Sequence, residues 1–395
     1  MLPMMHGQTN SSAHTRYNVR TGITRANWDE GGDRSRWVYL HPSEIFPAAM
    51  LHRAAPERVL PVRLRPEIGA FELDASHHVS LSAWLPSSPL DGFIVVHKGV
   101  ILYEQYPHMQ PSDLHLIFSV TKAFVGTVLA LLEDAKAVDI SKPVETYLPE
   151  LAGTAWAGTS VRDVADMASG MEGAEDSAAA YLDPKHRQFQ IEASLGWRVA
   201  TPDMPAAAAN GDAYGLLRLF RRVRNPGEQH VYTSANTILL ADLIERTTDH
   251  RLADVMDSEI WSKMGAEHDA LLLVNDHGIP IAHAGLVMTL RDLARFGLLF
   301  TPLGRGVLPR TFVSRLLHEG RPALLGPKNN GDHASYQWDR ITAAGEMEKG
   351  GFGDQLLFID TNRDVVIAYF GTNARVDSMP TRLPLRRMVA QYFTL

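Results

Sequence analysis

At 395 residues the chain is long enough for a large core and for two lobes, and its 45% hydrophobic and 21% charged content is that of an ordinary globular protein. A net charge of -7, with no basic stretch interleaved with aromatics, argues against a nucleic-acid binder. With no cysteine there are no disulfides, no thiol nucleophile and no thiolate metal site.

The start, Met1 to His14, lacks the basic-then-apolar pattern of a signal peptide, and no apolar run is long enough to span a membrane. A soluble, cytoplasmic protein is therefore expected. Residues 1–36 are rich in Gly, Ser, Asn, Arg and Thr without periodicity, which predicts a loose arm. Trp37 to Arg53 carries aromatics among prolines and reads as an extended segment packed on the body. Phe93–Val96 and Val100–Tyr103, joined by His97-Lys98-Gly99, predict a β-hairpin.

Next comes Ile117-Phe118-Ser119-Val120-Thr121-Lys122, followed by an apolar run through Leu132 that predicts a buried helix. Residues three apart share a helix face, so the Lys122 amine can reach the Ser119 hydroxyl near a helix start, where unpaired N–H groups favour an oxyanion. A serine nucleophile with an amine base needs that arrangement. The ordinary reading of S-x-x-K is a charged lysine on a solvated helix face.

Thr159-Ser160 opens a further helix through a serine or threonine cap and Ser169-Gly170 stops it, and helical periodicity continues over Ala213–Val223, Asn236–Thr247 and Leu252–Met264. The basic run Arg218–Arg224 reads as a solvated helix face. Another helix is expected after the stretch Asp292-Leu293-Ala294-Arg295-Phe296-Gly297. The tail changes period: Gln355–Asp360 and Val365–Phe370 are strand-length apolar runs, and Thr381–Phe393 reads as a closing helix. An early hairpin and late strands around a helical middle predict an α/β (α+β) chain: an antiparallel sheet flanked by helices, plus a helical domain. The boundaries are a sheet unit over 37–165 and 266–395 and a mainly helical unit over 166–265.

Two further boxes strengthen the first. Val231-Tyr232-Thr233-Ser234 places a tyrosine and a serine just before an apolar helix, and Lys349-Gly350-Gly351-Phe352-Gly353 is a glycine-rich entry to a late strand. In order and spacing the three boxes resemble the serine β-lactamase and penicillin-recognising superfamily. Within it the chain is similar to the class C-like branch that holds family VIII carboxylesterases and 6-aminohexanoate-oligomer (nylon-oligomer) hydrolases. Arg36-Trp37, Tyr147–Leu151, Tyr181–Pro184, Gly196–Arg198, Tyr232–Asn236 and Arg291–Arg295 look like signatures of the last group.

That resemblance implies a β-lactamase-like fold, no cofactor, no metal, and a small-molecule amide or ester as partner, with a homodimer left open. It implies that Ser119 forms an acyl-enzyme, that Lys122 with a lowered pKa takes its proton, and that Tyr232 relays the proton to the leaving group. The amides of Ser119 and Phe352 would form the oxyanion hole, with glycines 350, 351 and 353 permitting close approach. Tyr181 would face the scissile nitrogen and Trp197 would act as a lid, against the plainer reading of each as a packing residue. Glu192 would hold a substrate ammonium; its ordinary reading is a solvated surface glutamate. His283 would line the cleft, although a lone histidine is more often structural.

The chain also departs from the family pattern. Gly350 replaces the middle threonine of the third box and Ser234 the asparagine usual in class C enzymes, and both changes argue against efficient β-lactam turnover. Lys349 is retained and could meet a substrate carboxylate. Alternatives are therefore a β-lactamase or D-amino-acid peptidase, or a binding protein that is acylated without turning over. His77-His78 lacks a further ligand at metal spacing, and neither a G-x-S-x-G elbow nor a Walker loop is present.

Overall fold

The computed structural model describes residues 21–54, 56–74, 78–304, 306–373 and 383–394. Seven strands form one antiparallel sheet in the order β5-β4-β13-β12-β11-β10-β9. They are β4 (Leu90–His97), β5 (Val100–Gln105), β9 (His333–Ser335), β10 (Trp338–Ile341), β11 (Glu346–Gly351), β12 (Gln355–Asp360) and β13 (Val365–Gly371). The predicted hairpin is β4–β5, and Lys98 at φ 50 and Gly99 at φ 75 supply the two left-handed residues of its tight turn. Strand β13 from the end of the chain pairs with β4 from its start, Ile367 opposite Val95, so the sheet closes the chain on itself.

Side chains on a strand alternate between faces, and both faces here are covered. Phe93, Val95, Ile367 and Tyr369 join one buried cluster with Leu385, Met388 and Val389 of the closing helix Leu385–Tyr392. Ile94, Val96, Val366 and Ala368 join the other, under the helix Leu290–Leu298. Gly297 lets that helix lie close, since a side chain there would meet Val366 at 2.7 Å. Phe296 then stacks on Phe124 with ring centres 3.6 Å apart, seating the helix Thr121–Asp134 in the next layer. Gly126 of that helix meets backbone: a Cβ would fall 1.9 Å from the Tyr336 carbonyl, in the turn joining β9 to β10.

A second sheet, in the order β1-β7-β8-β6, consists of β1 (Ala48–Leu51), β6 (His115–Leu116), β7 (Ala270–Leu273) and β8 (Leu286–Met288). The remaining strands, β2 (Glu72–Asp74) and β3 (Val79–Ser80), pair with each other. Residues 166–265 contain helices and no strand. The buried core cluster runs from that segment into the first sheet. Among the described residues no helix is long and apolar enough to cross a membrane.

Several expectations are corrected. The first 20 residues of the expected loose arm lie outside the described residues, but Trp28 and Asp29 are buried and a helix spans Gly32–Leu40. The segment read as extended from Trp37 therefore begins as helix; the prolines that suggested extension start only at Pro42, where a 3-10 turn begins. The helix at Ala213 stops at Leu217, and the basic run beyond it is irregular chain. There Arg222 bonds the carbonyls of Ala155 and Ala157, so the run is not a helix face.

Candidate active site

Ser119 lies in a 3-10 turn over Phe118–Val120 that leads straight into the helix Thr121–Asp134, one step ahead of the predicted α-turn. Phe118 enters this turn at φ 45, a left-handed conformation that is costly for a bulky side chain. Aromatic packing holds it there, with Tyr39, Phe352, Trp197 and Trp28 all within 6.1 Å, centre to centre. The flanking backbone is pinned to the second sheet. Leu116 pairs with Val287, Ile117 N donates to Leu286 O at 2.9 Å, and Leu286 N donates to Thr121 Oγ1 at 3.0 Å.

Lys122 is fully buried one turn beyond the serine. Its Nζ lies 3.0 Å from Ser119 Oγ and donates to the His283 carbonyl at 2.9 Å. Burial is the main cause that lowers its pKa, to about 7; Lys349 pushes the same way and Glu175 opposes. A lowered pKa makes the free amine accessible near neutrality, within reach of the Ser119 hydroxyl.

Tyr232 precedes the helix Ser234–Thr248, and its phenol lies beside the Ser119 side chain. Burial, then Asp339 and Glu175, raise its pKa well above the ordinary value, so it is a neutral phenol with a proton to give. The Lys122 and Lys349 ammonium nitrogens lie 4.9 and 4.7 Å from its ring centre. The fully buried Lys349 reaches the Tyr232 hydroxyl at 3.4 Å and Asp339 at 2.5 Å.

Strand β11 brings the third box against the Ser119 turn. A side chain on Gly351 would come within 2.8 Å of Ile117 O and 3.1 Å of Ser119 N, so only glycine allows this approach. Phe352 follows, its ring 6.3 Å from that of Tyr181. Tyr181 donates to Glu175 at 2.7 Å, and the other oxygen of Glu175 takes the Ser234 amide at 2.5 Å. The Ser234 hydroxyl is buried with no partner among the described residues.

Beyond the serine the cleft is lined by Trp28, Asp29, Gln188, Glu192, Trp197, Arg198 and His283. Glu192 is buried, not solvated, which corrects the ordinary reading of it. It accepts from Arg198 Nε at 2.7 Å, and burial, opposed by Arg198, pushes its pKa up to about 7. Gln188 Oε1, Trp197 Nε1 and both ring nitrogens of His283 are buried without partners among the described residues. Burial, then the Lys122 charge, push the His283 pKa well down, leaving a neutral imidazole. Trp197 packs at 5.0 Å on Trp28 and 5.7 Å from His283, as a wall of the chamber.

All eleven residues singled out from the sequence thus lie around Ser119 or in the elements that touch it. Three charged residues were missed. Asp29 fell in the supposed loose arm, and Glu175 in an aperiodic loop that carries no signal. Asp339 was legible in principle: the turn at Gly345 folds β10 onto β11, pairing Arg340 with Glu348, which brings residue 339 beside 349. Among the described residues no cluster of three or more His, Asp or Glu is placed to hold a metal ion.

Residues 89–391 match the Beta-lactamase family model. The chain is 31% identical over 356 residues, 87% of its length and 86% of the relative's, to the 6-aminohexanoate-dimer hydrolase of Paenarthrobacter ureafaciens. A solved structure from Bacillus anthracis, with a provisional assignment as a 6-aminohexanoate-dimer hydrolase, superposes with a TM-score of 0.80 at 24% identity. It covers 94% of this chain and 95% of that one. The D-stereospecific amidohydrolase of a Streptomyces species shares the fold at a TM-score of 0.55 and 16% identity, over 78% and 94% of the two chains. With three quarters of its length inside the family model and a relative above 30% identity, the chain belongs to the Beta-lactamase family and is a hydrolase with that fold.

Proposed function

We propose that the enzyme cleaves small amides or esters through an acyl-enzyme on Ser119, with ω-amino acyl amides of the 6-aminohexanoate-oligomer type as its preferred class. The observation that carries the reading is the buried Lys122 amine, its pKa lowered to about 7, at 3.0 Å from Ser119 Oγ. Lys122 takes the serine proton as Oγ attacks the carbonyl, and the amides of Ser119 and Phe352 receive the developing oxyanion. Tyr232, a phenol with its proton in place, hands it to the leaving nitrogen or oxygen, and the reverse path activates water for deacylation. The substrate class is supported by the name of the Paenarthrobacter relative and by the chamber beyond the serine, where Glu192, Gln188 Oε1 and a neutral His283 present acceptors for an ammonium group.

The alternative as a β-lactamase or D-amino-acid peptidase gains no observation, because the Lys349 ammonium is taken up by Asp339. A hydrolysis panel of 6-aminohexanoate dimer, p-nitrophenyl esters and a chromogenic cephalosporin, with Ser119→Ala as control, tests the reading. The dimer and the esters should be turned over, the cephalosporin poorly, and a trapped acyl group should map to Ser119. An adduct on another residue, or one formed stoichiometrically without a second turnover, overturns it.

A further inference from the structure

Lys349 is a fully buried cation whose ammonium rests on Asp339 at 2.5 Å and on the Tyr232 hydroxyl at 3.4 Å. The other Asp339 oxygen accepts the Gly350 amide at 2.8 Å, so one carboxylate fixes both the lysine tip and the strand that carries the third box. Lys349 and Lys122 lie 4.7 and 4.9 Å from the Tyr232 ring centre, and Lys122 is 3.0 Å from Ser119 Oγ, which puts the Lys349 ammonium one side chain away from the Ser119–Lys122 pair. A cation there, if free, would attract a carboxylate next to the scissile bond.

We propose that Asp339 is a positioning residue that sets the charge preference of the site: it holds the Lys349 ammonium back against Tyr232 and neutralises it, so the enzyme favours amides and esters with no carboxylate beside the scissile bond. The inference rests on the serine-hydrolase reading above. The surrounding charges point the same way. Glu175, Glu192 and Asp29 add three carboxylates to the cleft lining, which holds one cation, Arg198. Asp339 also bears on the base. The groups that act on Lys122 are Glu175, Asp339 and Glu192, which favour its ammonium form, and Lys349, which disfavours it; neutral His283 and Tyr232 complete the surround.

The test uses two thioesters of phenylacetic acid, one with mercaptoacetate and one with mercaptoacetamide as leaving group, followed by release of the thiol. Wild-type enzyme should favour the neutral thioester in kcat/KM by about tenfold or more, the scale of one charge-assisted contact withheld from the anionic one. Asp339→Asn, nearly isosteric, should shift that ratio toward the anionic thioester by about tenfold. With a carboxylate that favours the Lys122 ammonium gone, the acid limb of kcat/KM for the neutral thioester should also move to lower pH. A purely structural role would lower both substrates together and leave the limb in place. An Asp339→Asn enzyme that turns over the neutral thioester with its ratio or its acid limb unmoved overturns the inference. So does a wild-type enzyme that prefers the anionic thioester, whether or not the variant folds. Failure of wild type to turn over either thioester, with no adduct on Ser119, removes the serine-hydrolase reading and this inference with it.

Discussion

Asp29 accepts both terminal nitrogens of Arg198, at 2.9 and 2.6 Å, across 169 positions of chain, while Arg198 Nε holds Glu192 at 2.7 Å. One guanidinium thus ties the early segment to the inner chamber, and all three side chains are at most 12% exposed. Removing one partner of such a group strands the others, at a cost of roughly 3–5 kcal/mol. Arg198→Met should lose stability on that scale at pH 8 in urea unfolding, and less at pH 5, where Glu192 is protonated. Equal losses at both pH values would show that Glu192 is not part of the linkage.

Lys122 must be neutral to act as base, and Glu192 must be ionised to hold an ammonium. Both titrate near pH 7. For a neutral ester log kcat/KM should therefore rise with a slope of about one below pH 7, and for an amino-terminated substrate with a slope approaching two. Glu192→Gln should bring the second slope down to the first and raise KM for the charged substrate roughly ten- to a hundredfold, leaving the neutral ester nearly unchanged. Parallel profiles for the two wild-type substrates would remove Glu192 from recognition.

The lowered pKa of Lys122 also has a sign in stability. Its unfolded value is near 10.5 and its folded value about 7, so between them the folded chain binds fewer protons and stability rises with pH. Below that window the buried amine costs roughly 5 kcal/mol. Lys122→Met should abolish hydrolysis yet stabilise the fold at pH 7, with the gain shrinking toward pH 10. A gap between variant and wild type that does not change from pH 7 to 10 would contradict the lowered pKa.

Gly351 packs against the Ser119 turn with no room for a side chain. Gly351→Ala should push β11 away from Ser119 and reduce kcat by two to three orders of magnitude, the scale of a lost oxyanion donor, with KM much less affected. Unchanged turnover would mean that the oxyanion is not bound between Ser119 and Phe352.

What the sequence made legible were features written in local period or in fixed spacing. The β4–β5 hairpin, the strands at 355 and 365, and the three boxes with Ser119, Lys122 and Tyr232 are of that kind. What escaped was set by tertiary neighbours. Phe118 holds a positive φ because four aromatic rings from distant segments enclose it, which no local propensity encodes. Glu192 sits on an amphipathic helix that sequence alone cannot orient, and the Arg198 that meets its carboxylate is held in turn by Asp29 from a distant segment. Asp29 was hidden because polar, glycine-rich composition resembles a free arm until Trp28 is seen under Trp197.

The contact at Gly126 bears on which parts of the molecule breathe together. Because the helix that carries Lys122 rests main chain to main chain on the Tyr336 turn, no rotamer change can slide one past the other. Amide hydrogen exchange should report this as one cooperative opening unit: the protons of residues 123–130 and those of β10 and β11 should exchange with a common free energy, near that of global unfolding. Substituting Ala at Gly126 should split that unit, so that the two sets exchange at different rates, even where the catalytic side chains themselves are untouched.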